Sequence, residues 1–140
     1  MKGLFLEDLS IGQSAELVRT VGEADIEAFA EVTGDKNPVH LDADYAAKTS
    51  FGERIAHGML SAGYISAVLG TTLPGPGAIY LSQALRFKRP VKIGDEVTAR
   101  ATVTEIDEAK ARVTFATVCL VGGKPVVEGE AVVMVPRKAA

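Results

Sequence analysis

The sequence predicts an α+β fold in which an antiparallel sheet of about five strands wraps around one central buried helix. Three observations carry that expectation. From Gly58 to about Thr72 nearly every residue is small or apolar, with Ser61 and Ser66 as polar exceptions, which is the composition of a helix covered on all sides. After the breaker Leu73-Pro74-Gly75-Pro76-Gly77 the chain reads as alternating apolar and polar residues. The links between these later runs are short, which favours antiparallel neighbours over parallel crossovers.

The elements follow in order. Ser14 to Thr20 alternates weakly, with Ala15, Leu17 and Arg19 against Glu16 and Val18, and predicts a short first strand. From Glu23, residues Ile26, Phe29, Ala30 and Thr33 recur at helical spacing, Glu23 and Asp25 suit the positive end of the dipole, and Gly34 stands where a terminating glycine belongs. Pro38 disfavours a helical conformation at Asn37, so the backbone is expected to extend between Asp35 and His40. A short helix follows, with Asp42 as N-cap and Asp44 to Lys48 as body. Thr49 to Ala56 reads as an irregular connection that contains the charged pair Glu53 and Arg54. Beyond the Pro-Gly turn, Ile79, Leu81, Leu85 and Phe87 alternate along one run, and Val97, Ala99, Ala101 and Val103 along the next. Val113, Phe115, Thr117, Cys119 and Val121 share a face of the third. After Gly122-Gly123, residues Val127, Ala131, Val133 and Val135 share a face of the last.

A chain of 140 residues is expected to form a single domain, 1–140, with a core that needs neither disulfide nor metal. Its 15 Lys and Arg are scattered among 18 acidic residues, for a net charge of -3, which argues against a nucleic-acid partner. The one cysteine, Cys119, excludes an internal disulfide and a Cys-rich zinc site, fits a reducing compartment, and lies in a strand-like run as a small core residue. Met1 to Asp8 turns acidic too early for a secretory signal, and no apolar run approaches the roughly 20 residues that cross a bilayer. A cytoplasmic protein without a membrane partner is expected.

The chemistry concentrates in Thr33-Gly34-Asp35-Lys36-Asn37-Pro38-Val39-His40 and in Ala56-His57-Gly58-Met59, which together hold both histidines of the chain. An acid and an imidazole on either side of a Pro-containing bend form a candidate acid/base pair. The same residues have a purely structural explanation: Gly34 closes a helix, Asn37-Pro38 starts a turn, and Asp35 bonds its own backbone.

Phe29-Ala30-Glu31-Val32-Thr33-Gly34-Asp35-Lys36-Asn37-Pro38-Val39-His40, with Ala46 five residues further on, resembles the signature of the R-specific enoyl-CoA hydratases. These are the MaoC-like or hydratase 2 group of hot-dog folds. Ala56-His57-Gly58-Met59-Leu60 and the run Leu85-Arg86-Phe87-Lys88-Arg89-Pro90-Val91 through Gly94-Asp95 look like that family too, and the resemblance extends from about residue 5 to 136.

The resemblance implies a hot-dog fold and the addition of water to a trans-2-enoyl-CoA, giving an (R)-3-hydroxyacyl-CoA, with no cofactor or metal. It implies that Asp35 and His40 together activate the water, that the Gly58 backbone N–H receives the enolate-like oxygen, and that Ser66 lies near the reacting centre. A buried serine can instead bond back to its own helix. Asn37 is expected to stabilise the loop and His57 to order the start of the helix. Arg86, Lys88, Arg89 and Lys92 either meet the phosphates of coenzyme A or protect a strand edge by charge. A homodimer is expected, as hot-dog proteins commonly pair into a continuous sheet. The competing readings are an (R)-3-hydroxyacyl-thioester dehydratase acting on a CoA or acyl-carrier-protein substrate, a hot-dog thioesterase, and a non-catalytic acyl-thioester binding protein. Fatty-acid degradation, fatty-acid synthesis and monomer supply for polyester (polyhydroxyalkanoate) storage all use such chemistry.

Overall fold

A computed structural model describes residues 1–139. After a 3-10 turn at Leu6–Asp8, strand β1 (Ser14–Thr20) leads into helix α1 (Glu23–Thr33). Two short helices follow, α2 (Pro38–Leu41) and α3 (Ala43–Ala47), and then the long helix α4 (Gly58–Thr71). Strands β2 (Ile79–Phe87), β3 (Glu96–Asp107), β4 (Arg112–Val121) and β5 (Lys124–Met134) complete the chain. All five strands form one antiparallel sheet in the order β1-β3-β4-β5-β2. This is the expected hot-dog arrangement, with α4 lying across β3, β1 and β4 on the concave face.

Alternation sets the core. Val97, Ala99, Ala101 and Val103 of β3, Val113, Phe115, Thr117 and Cys119 of β4, and Ala131 and Val133 of β5 are buried on the helix side. Ala99 and Ala101 are small enough to let α4 approach, and Ile65, Val68 and Leu69 fill the space between, each contributing about 2 kcal/mol by burial. The Cys119 thiol donates to the Ser61 carbonyl at 3.4 Å, which ties the first turn of α4 to β4.

Three expectations need correction. The backbone does not stay extended up to His40: Asn37 remains non-helical, but Pro38 occupies the first position of α2, where its missing N–H costs nothing. Helix α4 is not covered on all sides, because Met59, Gly63, Ser66 and Gly70 form an exposed stripe. The residues all round this helix are so uniformly small and apolar that no periodicity marks the uncovered face. In β2 the alternation is broken by an irregularity between Tyr80 and Ser82, leaving Ile79, Tyr80, Leu81 and Phe87 exposed along the edge.

Candidate active site

Helix α1 ends at Gly34, whose φ of 80° and N–H bond to the Ala30 carbonyl turn the chain toward the site. Two nested side-chain turns follow. The Asp35 carboxylate accepts from the Asn37 N–H at 3.3 Å, and the Asn37 side chain accepts from the Val39 N–H at 3.1 Å as the N-cap of α2. One turn of helix then delivers His40. The spacing of acid, amide, proline and imidazole is thus the spacing of this pair of turns.

His40 and His57 are both buried, while Asp35 is exposed. His40 Nδ1 lies 2.7 Å from the Ile55 carbonyl oxygen, which can only accept, so Nδ1 carries the proton and the neutral ring keeps its lone pair on Nε2. His57 Nε2 donates in the same way to the Asp35 carbonyl at 2.9 Å. Its Nδ1 is buried without a partner among the described residues. The two imidazoles stack with centroids 3.8 Å apart, and Phe29 lies on the His57 ring at 4.7 Å. One donor atom from each of Asp35, His40 and His57 falls within 4.8 Å of the others. With one nitrogen of each ring donating to a carbonyl, a divalent ion here would have to use His40 Nε2 and His57 Nδ1.

Gly58 opens α4 directly after His57, so its N–H has no acceptor within the helix and sits at the positive end of the dipole. Two cavities meet at this point. One, of about 290 Å³, is lined by His40, Gly58, Ser61, Phe87, Lys88 and Arg89 among others. The second, of about 450 Å³, is lined by Phe29, Thr33, Asp35, His40, His57, Gly58, Met59 and Phe87. His40, Gly58 and Phe87 border both.

Asp35, His40, His57 and Gly58 are therefore brought together, with Asn37 bracing the loop behind them. Ser66 is not. It is exposed and lines a third cavity, of about 410 Å³, with Met59, Gly63 and Leu85. The buried serine beside Gly58 is Ser61. The basic cluster also divides: Lys88 and Arg89 line the first cavity, Arg86 lies opposite Glu128 on β5, and Lys92 pairs with Glu53 at 3.4 Å.

The profile of the family described as MaoC like domain matches residues 9–123. The chain belongs to the MaoC-like domain family. Among its MaoC-like relatives, the (R)-specific enoyl-CoA hydratase of Rhodospirillum rubrum is 60% identical over 134 residues, covering 96% of this chain and 93% of that protein. The 3-hydroxybutyryl-CoA dehydratase of Methylorubrum extorquens is 49% identical, covering 99% of this chain and 88% of its own length. Among solved structures, the unliganded R-hydratase PhaJ1 of Pseudomonas aeruginosa superposes with a TM-score of 0.92 at 52% identity, covering 97% of this chain and 88% of that one. Within this MaoC-like site, Ser61, Phe87 and Phe29 escaped sequence reasoning. Each had a signal, since Ser61 follows Gly58 by one helical turn and Phe29 and Phe87 stand in the family-like stretches.

Proposed function

We propose that this chain is an R-specific enoyl-CoA hydratase, which adds water reversibly to trans-2-enoyl-CoA to give (R)-3-hydroxyacyl-CoA. One observation carries the reading: the Asp35 carboxylate and the His40 imidazole converge beside the first amide of α4, on the cavity of about 450 Å³ that all three residues line.

The chemistry follows from the donors and acceptors. His40 presents Nε2 as an acceptor and Asp35 a carboxylate, so a water held between them loses a proton as its oxygen bonds to C3. Electron density moves onto the thioester oxygen, where the Gly58 N–H and the α4 dipole receive it. C2 then takes a proton from the same pair, hence from the same face of the acyl chain. Lys88 and Arg89 at the mouth of the first cavity suit the phosphates of coenzyme A. The cavity beside Ser66 adjoins the site through Met59 and suits the acyl chain.

The protein acts as a homodimer, in the cytoplasm. Support comes from the β2 edge, where Ile79, Tyr80, Leu81 and Phe87 are exposed next to the bare Met59–Gly63–Ser66 stripe of α4. The other edge, β1, carries the Glu16–Arg100 ion pair at 2.9 Å and is blunted by charge. Pairing β2 with its symmetry mate would cover both the edge and the stripe.

The test is loss of enoyl-thioester absorbance with crotonyl-CoA and longer chains, followed by product chirality. An (R)-3-hydroxyacyl product supports the reading; inactivity at every chain length, or an S product, overturns it. Sedimentation at the mass of one chain would remove the dimer.

A further inference from the structure

We propose that Arg54 is a positioning residue that fixes the tautomer and direction of the His40 imidazole. The inference rests on the reading of His40 as the proton-accepting ring. Arg54 Nε donates to the His40 backbone carbonyl at 2.7 Å, and Nη1 pairs with Glu23 Oε1 at 2.6 Å. The side chain is only 13% exposed and lines neither cavity that His40 and Gly58 share, so it acts on the ring and not on the substrate.

The need for such a brace follows from α2. Four residues of helix cannot hold themselves in water, and α2 spans only Pro38–Leu41. What holds it is a latch between two pairs of adjacent residues. The Ile55 N–H donates to the Val39 carbonyl at 3.3 Å, His40 Nδ1 donates to the Ile55 carbonyl at 2.7 Å, and Arg54 closes the latch onto the His40 carbonyl. The far side is anchored to the connection between β2 and β3, where the Ala56 N–H donates to the Val91 carbonyl at 2.7 Å. Through Glu23 the guanidinium also ties the latch to the first turn of α1, the helix that delivers Asp35.

Without Arg54, the His40 carbonyl loses its charged donor and the α1 tie disappears. The Ile55 carbonyl is then held in front of Nδ1 by its neighbouring backbone bonds alone, a looser hold that lets the ring carry its proton part of the time on Nε2, where the reaction needs a lone pair. Lysine cannot replace arginine here, because one ammonium on a flexible stem does not reach a carbonyl and a carboxylate in two fixed directions.

The chain has only two histidines, so long-range 15N–1H spectra of the imidazoles resolve His40 from His57 without substrate. Wild type is expected to show His40 as the Nδ1–H tautomer, and Arg54→Ala a mixture with Nε2–H. In the enoyl-thioester assay, Arg54→Ala is expected to lower kcat by about tenfold to a hundredfold with KM little changed. Added guanidinium should restore part of that loss in Arg54→Ala and none in His40→Ala. If Arg54→Ala does not fold, Arg54→Lys carries the same spectral and kinetic test. A wild-type tautomer population, an unchanged kcat, or a loss confined to KM in the folded variant overturns the proposal. An inactive wild type would instead overturn the hydratase reading, and the spectra would still decide the role of Arg54.

Discussion

Phe87 lies against Gly58 so closely that a β-carbon on the glycine would stand 2.5 Å from Cε1 of the ring. A side chain at position 58 must therefore displace this ring, which lines both cavities, or shift the first amide of α4. Gly58→Ala is expected to lower turnover by about a hundredfold, the loss typical of one misplaced oxyanion donor. Adding Phe87→Ala makes room and should return part of the rate. A steady-state double-mutant cycle measures that coupling, and additive losses would show that contact with Phe87 is not the cause.

Asp35→Asn and His40→Ala are each expected to reduce kcat by about a hundredfold or more, with circular dichroism unchanged. If both act on one water, as proposed, the double variant should be little worse than either single one. A folded single variant with a near-normal rate would remove its residue from the chemistry.

His57→Phe preserves the stack with His40 and Phe29 but deletes the Nε2–H bond to the Asp35 carbonyl. The predicted cost is about 1 kcal/mol of stability, the usual worth of one hydrogen bond. With the Asp35 backbone untethered, kcat should fall by about tenfold while the pair itself survives. Thermal melts and steady-state kinetics on the same sample check both outcomes.

Burial pushes the Cys119 thiol up from 9.0 to about 12. The unfolded chain therefore releases this proton at lower pH than the folded one, so stability is intact below pH 9.0 and declines as the pH rises through that value. Between about pH 8 and about pH 10 the melting temperature of wild type should drop further than that of Cys119→Ala. Equal drops would show that the thiol does not drive the loss.

Much of this was legible in the sequence because local rules governed it. The strands β3, β4 and β5 followed from period-two alternation, α1 from its acidic first turn and Gly34, and the candidate pairing of Asp35 with His40 from the Pro-containing bend between them, whose turn residues equally offered a purely structural explanation. Contacts far apart in the chain were not legible. Arg54 reaches back to His40 and Glu23 from a connection without periodicity, and nothing local distinguishes it from a solvated charge. Ser66 was expected near Gly58, but eight residues along a helix rotate a side chain by about 80°, enough to place it on another cavity. Lys88 and Arg89 both face the first cavity because β2 has ended at Phe87, where alternation no longer applies.

Helix α4 fills the sheet with Ile65, Val68 and Leu69 and, at its first residue, presents the amide proposed to receive the reacting oxygen. Rigidity of the interior and speed of the reaction are consequently properties of one rod. Engineering that hollows the interior to admit bulkier chains will slacken the rod and dull the enzyme together, whereas reshaping the β2 rim leaves the rod seated.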